Sequence, residues 1–343
     1  MSIVEVAKRA GVSKSTVSLV INNSTRVAPE TAEKVRSVMA KMGYVPRPPH
    51  ARRGPKRSRS SQHDILNLAL VTLGIHPVTL RYPVYAEVLN GVEQGARELG
   101  HQLVVHHAHD AAAFGMKVFG SRVDGVILFG NGETSTAERE LRRHPCVSVM
   151  RVGGERSWTD WISYDGAAAG RLAAEHLLAA GHRQCAVIGR KTERTTAFLK
   201  AVRAAGGKAT VLGTQFKTTI RDGLGIMDPD WMDGVAGALL KIKPRVTGVF
   251  CWADGVTVGL YHALQRRGIA PGEKLTVVSC NNERPLLAGL YPRPAAVDLQ
   301  AFEIGRRAAA HLVWRRENPD RPRVVQLLDP QLVVPESDEG GTR

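Results

Sequence analysis

Two periodicities divide the chain: apolar residues recur at helical spacing up to about residue 42, and from residue 65 short apolar runs alternate with amphipathic ones. In the first region Val4, Val6, Ala7 and Ala10 form one stripe, Gly11 interrupts it, and Val12 is placed to fill the gap between two crossing helices. Ser13 is a favoured N-cap, and Val17, Val20 and Ile21 repeat behind it at helical spacing. That leaves Lys14, Ser15, Ser18 and Leu19 facing outward. A loop follows, and Pro29 opens a third helix over residues 29–43 with Val35, Val38, Met39 and Met42 turned inward. Two short helices joined by a tight turn are the pattern of a helix-turn-helix, whose second helix lies in the major groove with its N-terminal residues against base edges. A helical hairpin on an ordinary protein surface carries a similar pattern.

Beyond residue 65 the runs ILNLALVTL (65–73), HQLVVHHA (101–108) and DGVILFG (124–130) predict strands, with a helix over residues 86–100 and a short helical stretch before residue 124. CVSVMRV (146–152), QCAVIG (184–189), GVFCWAD (248–254) and LTVVSC (275–280) continue the strands; residues 166–181, 195–206 and 257–268 continue the helices. Such alternation predicts parallel sheets covered by helices, and its extent predicts two of them. The expected fold class is α/β behind an all-α headpiece. The boundaries are 1–46 for the headpiece, 47–63 for a linker, 64–337 for the α/β region and 338–343 for a polar, frayed tail.

Composition narrows the class. The 343 residues, 43% hydrophobic, suffice for two or three domains. No run of about 18 apolar residues marks a membrane span, and the charged start MSIVEVAKRAGVSK does not read as a signal peptide, so a cytoplasmic protein is expected. Cys146, Cys185, Cys251 and Cys280 lie far apart in strand-like runs, as buried thiols do, and HHAH (106–109) reads as a strand end. No metal or cofactor is expected. Nor does any nucleophile elbow, phosphate loop or catalytic carboxylate pair stand in a context that suggests an enzyme.

Charge is more informative, because it is uneven. Residues 1–63 hold thirteen Lys or Arg against three acids, and so carry +10 of the formal +15. A local basic excess beside a helix-turn-helix points to phosphate contacts and salt-dependent DNA binding, although a solvated basic face would give the same sum. The linker RPPHARRGPKRSRSSQH (47–63) has six Lys or Arg, no acid and three prolines, which favours an extended segment. Its RRGPKR core resembles an AT-hook, in which arginines lie along a narrow A·T-rich minor groove. A disordered basic tether is the alternative.

EVAKRAGVSKSTVSLVINN followed by RVAPETAEKVRSVMAKMGYVP resembles the headpiece of the lactose-repressor and galactose-repressor family of bacterial transcription regulators. GRLAAEHLLAAGHRQCAVIG, RVDGVILFG and VDLQAFEIGRRAAAHL resemble that family's effector-binding region, itself similar to periplasmic sugar-binding proteins. The resemblance runs from about residue 2 to residue 337. It implies a homodimeric repressor on a roughly palindromic double-stranded operator, with a small-molecule, sugar-like effector held between two sub-domains. Residue matching gives base reading to Lys14, Ser15 and Leu19, with Ser13, Thr16, Ser18 and Asn22 beside them and Arg47, Arg52, Arg53, Lys56 and Arg57 supplied by the linker. Leu19 replaces a usual Arg, so a thymine methyl contact is expected in place of a bidentate guanine contact. Arg53 stands where the family's hinge helix wedges a Leu into the minor groove, and Gly54 and Pro55 would end such a helix after about one turn.

In the cleft the resemblance implies Tyr85 as an aromatic against the ligand, Arg194 as the Arg of an R-x-x-G-F motif and Asp254 as a ligand-binding acid, with Trp252 as a stacking wall. Tyr85 could instead be core, and Asp254 could cap a helix beginning near Val256. Met150 and Arg151 replace an Asp that accepts bonds from sugar hydroxyls; with Arg194, Arg151 suggests an anionic effector such as a sugar acid or sugar phosphate. Asn281 and Asn282 replace a usual acidic pair. That departure keeps open a ligand-independent or architectural DNA binder with a vestigial cleft, whereas the basic headpiece opposes a solute-transport component.

Overall fold

The computed structural model describes residues 3–21, 24, 27–44, 65–75, 80–108, 123–130, 135–150, 158–213, 228–272 and 275–335. The chain forms two compact units, Met1–His63 and Asp64–Arg343. Asn22, the linker with Arg47, Arg52, Arg53, Lys56 and Arg57, the short helical stretch expected before residue 124, Arg151 and the tail lie outside the described residues.

In the first unit α1 (Ile3–Ala10), α2 (Lys14–Ile21) and α3 (Pro29–Lys41) close around Val6, Ala7, Ala10, Val17, Val20, Val35, Met39 and Met42. Gly11 takes the left-handed conformation (φ 67°) that the turn between α1 and α2 needs, and the Val12 N–H donates to Ala7 O at 3.1 Å. Val12 packs against the core as expected. Val4 does not: it is 57% exposed, because its place on α1 lies off the stripe of Val6, Ala7 and Ala10.

The second unit holds two six-stranded sheets. The first has the order β11-β5-β4-β3-β1-β2, built from β1 (Asn67–Leu73), β2 (Gln102–Ala108), β3 (Gly125–Phe129), β4 (Cys146–Val149), β5 (Asp160–Tyr164) and β11 (Val325–Leu328), all parallel. The second has the order β12-β10-β9-β8-β6-β7, from β6 (Gln184–Ile188), β7 (Lys208–Leu212), β8 (Gly248–Cys251), β9 (Thr276–Asn281), β10 (Ala295–Asp298) and β12 (Gln331–Val333), with only β12 antiparallel. Central strands such as β3, β4 and β8 are buried along their whole length, as continuous apolar runs covered on both faces must be. The expected strand over residues 146–152 stops at Val149, since Met150 turns left-handed (φ 53°). All four cysteines are buried and none forms a disulfide.

The helices are α4 (Pro83–Glu98), α5 (Ser135–Leu141), α6 (Gly166–Ala179), α7 (Glu193–Ala204), α8 (Pro229–Lys241), α9 (Asp254–Gln265), α10 (Arg284–Leu287) and α11 (Ala301–Glu317). The chain passes between the sheets after β5, after β10 and after β11, which makes two sub-domains. α6 and α11 share the pattern G-R-x-A-A-x-H-L at residues 170–177 and 305–312. In each the glycine allows a close helix crossing: a Cβ on Gly170 would lie 1.9 Å from Arg194 O, and one on Gly305 2.2 Å from Val88 O. The crossing of α6 on α7 fixes the backbone of Arg194; that of α11 on α4 fixes the helix whose first turn bonds Glu283.

Candidate functional site

The start of α2 is locked locally. Ser13 Oγ accepts the Thr16 N–H at 3.1 Å and lies 2.9 Å from Thr16 Oγ1, so both side chains serve the helix end. Val17 and Val20 pin the inner face. Lys14, Ser15, Ser18 and Leu19 are consequently exposed together on the outer one, and α2 carries no acidic residue in its first turn. The face offers one cation, two hydroxyls and a branched apolar tip, enough for phosphate, base-edge and methyl contacts.

The second candidate site lies at the carboxyl ends of the strands. Arg194, on the first turn of α7, is buried; its Nη1 donates to Trp252 O at 2.8 Å and Cys280 Sγ at 3.2 Å, and its Nη2 donates to Tyr164 Oη. Its guanidinium carbon stands 4.9 Å from the Tyr164 ring. One cation therefore ties together the ends of β5, β8 and β9. Trp252 packs against Gly189, whose φ of 147° and missing Cβ make room: a Cβ there would meet Trp252 Cδ1 at 1.8 Å.

Asp254 is fully buried and is the first residue of α9, so it does not cap a helix starting near Val256. Its Oδ1 accepts the Ser279 hydroxyl and its Oδ2 accepts the Glu283 N–H at 2.5 Å. Burial pushes its carboxyl up to about 8, against the pull of the Ser279 bond. Glu283, also buried, sends Oε1 to the Val84 N–H at 2.8 Å on the first turn of α4; burial raises its carboxyl as well. Asn281 and Asn282 are left-handed (φ 109° and 61°), a conformation Asn tolerates better than most residues, and they turn the chain so that Glu283 reaches the first turn of α4. A buried acid thus stands one residue after the Asn pair. Asn282 Nδ2 donates to Asp298 Oδ2 at 2.9 Å.

Tyr85 sits one residue beyond Val84. Its ring packs on Phe129 and His107, with centroids 5.5 and 5.9 Å away, so it belongs to the core. Its hydroxyl is nevertheless buried without a partner among the described residues, as are Trp252 Nε1 and Asn282 Oδ1. Buried polar atoms of this kind are normally satisfied by something. The structure brings Trp252, Arg194 and Asp254 into one neighbourhood, with Tyr85 linked to it through Val84 and Glu283. Sequence reasoning missed Tyr164, Ser279, Cys280 and Glu283. The only local signal was that β5 (DWISY) and β9 end in polar residues at strand termini.

Residues 2–47 match the family described as bacterial regulatory proteins, lacI family, and residues 174–337 match a periplasmic binding protein-like domain. The HTH-type transcriptional repressor PurR of Erwinia tasmaniensis is 30% identical over 297 residues, covering 82% of this chain and 81% of its own. The ribose operon repressor of Haemophilus influenzae is 27% identical over 347 residues, with 97% of each chain covered. Among solved structures, a complex of the transcriptional regulator CelR with cellobiose superposes with a TM-score of 0.65 at 24% identity, over 98% of this chain and 99% of that one. A lac repressor dimer bound to operator and the anti-inducer ONPF gives 0.62 at 19% identity, over 97% and 98%.

Proposed function

The chain belongs to the lacI family of bacterial regulatory proteins, and from that premise we propose that it is a homodimeric repressor acting in the bacterial cytoplasm, released from or held on its operator by a small polar effector. Two copies of the exposed α2 face, related by a two-fold axis, read successive major grooves of a roughly palindromic duplex. Lys14, Ser15 and Leu19 make the base contacts, flanked by Ser13, Thr16, Ser18 and Asn22. The arginines and Lys56 of residues 47–57 follow the phosphates or the minor groove.

The effector occupies the space bounded by Tyr85, Trp252 and Asn282. The observation that carries this reading is that three of the five buried side-chain polar atoms without a hydrogen-bond partner among the described residues, Tyr85 Oη, Trp252 Nε1 and Asn282 Oδ1, belong to residues within two positions of Val84, Asp254 and Glu283 in the chain, where hydroxyl groups of a ligand would complete them. The cellobiose bound by CelR supports a sugar-like occupant. An anionic effector has less support than the sequence suggests, because Arg194 directs its Nη donors at Tyr164, Trp252 and Cys280. The test is selection of bound duplexes from a random pool, followed by a thermal-shift screen of neutral sugars, sugar acids and sugar phosphates. An inverted-repeat consensus and stabilisation by neutral sugars are expected. Absence of any sequence preference would overturn the repressor reading, and stabilisation by anionic compounds alone would overturn the effector assignment.

A further inference from the structure

Glu283 follows β9 in the second sub-domain, yet its carboxylate caps a helix of the first. The α4 helix needs that cap. The side chain of its N-cap residue, Tyr82, makes no capping bond to the helix, and Glu283 Oε1 takes the Val84 N–H at 2.8 Å, where the positive end of the helix dipole favours a carboxylate. The pairing spans 199 residues of sequence and joins the two sub-domains directly. Asn281 Nδ2 reaches Glu283 Oε2 at 3.4 Å from the sheet side.

The same residue is held from behind by the site's own acid. Asp254 Oδ2 accepts the Glu283 backbone N–H at 2.5 Å, while Ser279 Oγ, itself 2.6 Å from Thr257 Oγ1, holds Oδ1. Asp254 is thus occupied on both oxygens, and a ligand hydroxyl that took Oδ2 as its acceptor would loosen the turn that presents Glu283. Tyr85, whose buried hydroxyl has no partner, lies on the same first turn of α4. A ligand group reaching that hydroxyl would therefore stand beside the capped end.

We infer that Glu283 is a positioning residue, an inter-sub-domain latch whose bond to the first turn of α4 holds the pose seen here and is made or broken as the cleft fills. The inference rests on the effector-gated reading above. A ligand moves the equilibrium between two poses only by its difference in affinity for them, and a latch tied to Asp254 supplies such a difference. α4 then carries the change to α11, against which it packs through Gly91, Gly95 and Gly305.

The experiment compares full-length wild type, E283A and E283Q by site-resolved hydrogen exchange and by affinity for the selected duplex. Gln keeps an acceptor oxygen for the Val84 N–H, whereas Ala removes it. E283A is expected to lose at least about tenfold protection at the first turn of α4, with the α4 centre and sheet 2 unchanged, and to shift duplex affinity at least about fivefold, the lower end of ordinary allosteric coupling. E283Q is expected to restore both. Unchanged protection at Val84 in E283A overturns the latch, and so does lost protection with unchanged duplex affinity, which marks a cap without regulatory effect. Wild type without duplex preference would instead overturn the repressor reading, an outcome told apart because the exchange difference between wild type and E283A would persist.

Discussion

Replacing Arg194 by Lys separates a cation that builds the cleft from one that grips the effector. Arg194 places three donor contacts in a fixed fork: Trp252 O, Cys280 Sγ and Tyr164 Oη. A Lys ammonium is a single point and cannot reach both the β8 end and Tyr164, so at least one buried acceptor loses its partner, at a cost of about 1–3 kcal/mol. Loss of the guanidinium face over the Tyr164 ring, now 4.9 Å away, removes roughly 0.5–2 kcal/mol more. The stronger hydration of an ammonium adds in the same direction. A total of about 1.5–5 kcal/mol, at about 2 °C per kcal/mol for a unit of this size, lowers the melting temperature by roughly 3–10 °C in the absence of effector. The assay is a calorimetric or circular-dichroism melt of the unliganded protein, with effector affinity measured well below the transition. An unliganded melting temperature within about 1 °C of wild type, together with lost effector binding, would refute the reasoning and make Arg194 a ligand contact.

Asp254 keeps its proton in the fold up to about pH 8, while its ordinary value is 3.8. Between those values the folded chain binds more protons than the unfolded one, so stability should fall as pH rises from about 4 to about 8 and level off beyond, by up to roughly 1.4 kcal/mol per pH unit. D254N can accept the Glu283 N–H and donate to Ser279, so urea titrations across that range should show the slope flattened; an unchanged slope would place it elsewhere. G305A drives a Cβ to 2.2 Å from Val88 O and should cost about 1–3 kcal/mol or more by forcing α4 and α11 apart. G234A on α8, with nothing within 4 Å of its Cβ, should be stabilising by about 0.5–1 kcal/mol, and equal melting temperatures for the two variants would contradict the packing argument. L19R should restore a bidentate guanine contact worth about 1–3 kcal/mol, read as a gain in preference for guanine at one position of each half-site; an unaltered consensus would remove Leu19 from the reading face.

How much of this was legible depended on the range of the interaction. The first-helix stripe, the Gly11 break and the Ser13 cap are settled among residues a few positions apart, so the headpiece could be read directly, with Val4 the exception because a stripe's edge is fixed by what packs on it. Most of the long apolar strands and amphipathic helices were equally plain, although α8 went unread. β5 and β7 were not: DWISY is short and polar at its start, and KATVL lies on a sheet edge with its residues only partly buried.

The cleft shows the limit. Motif matching singled out Arg194 and Asp254, with Trp252 beside the latter, and chemistry alone made Arg194 a hook for anions. Only the folded chain gives it Tyr164, 30 positions away, and Cys280, 86 away, as acceptors, and so turns it inward. The Asn pair at 281–282 read as the loss of an acidic site, whereas in three dimensions it is a left-handed turn that delivers Glu283 to α4 across 199 residues. The sequence by itself determined most of the elements, the charge asymmetry and the family, because periodicity, capping and composition are local properties. Tertiary structure alone decided what each buried polar group is bonded to, because a buried donor takes whichever acceptor the packing brings within about 3 Å, and no local pattern records that distance.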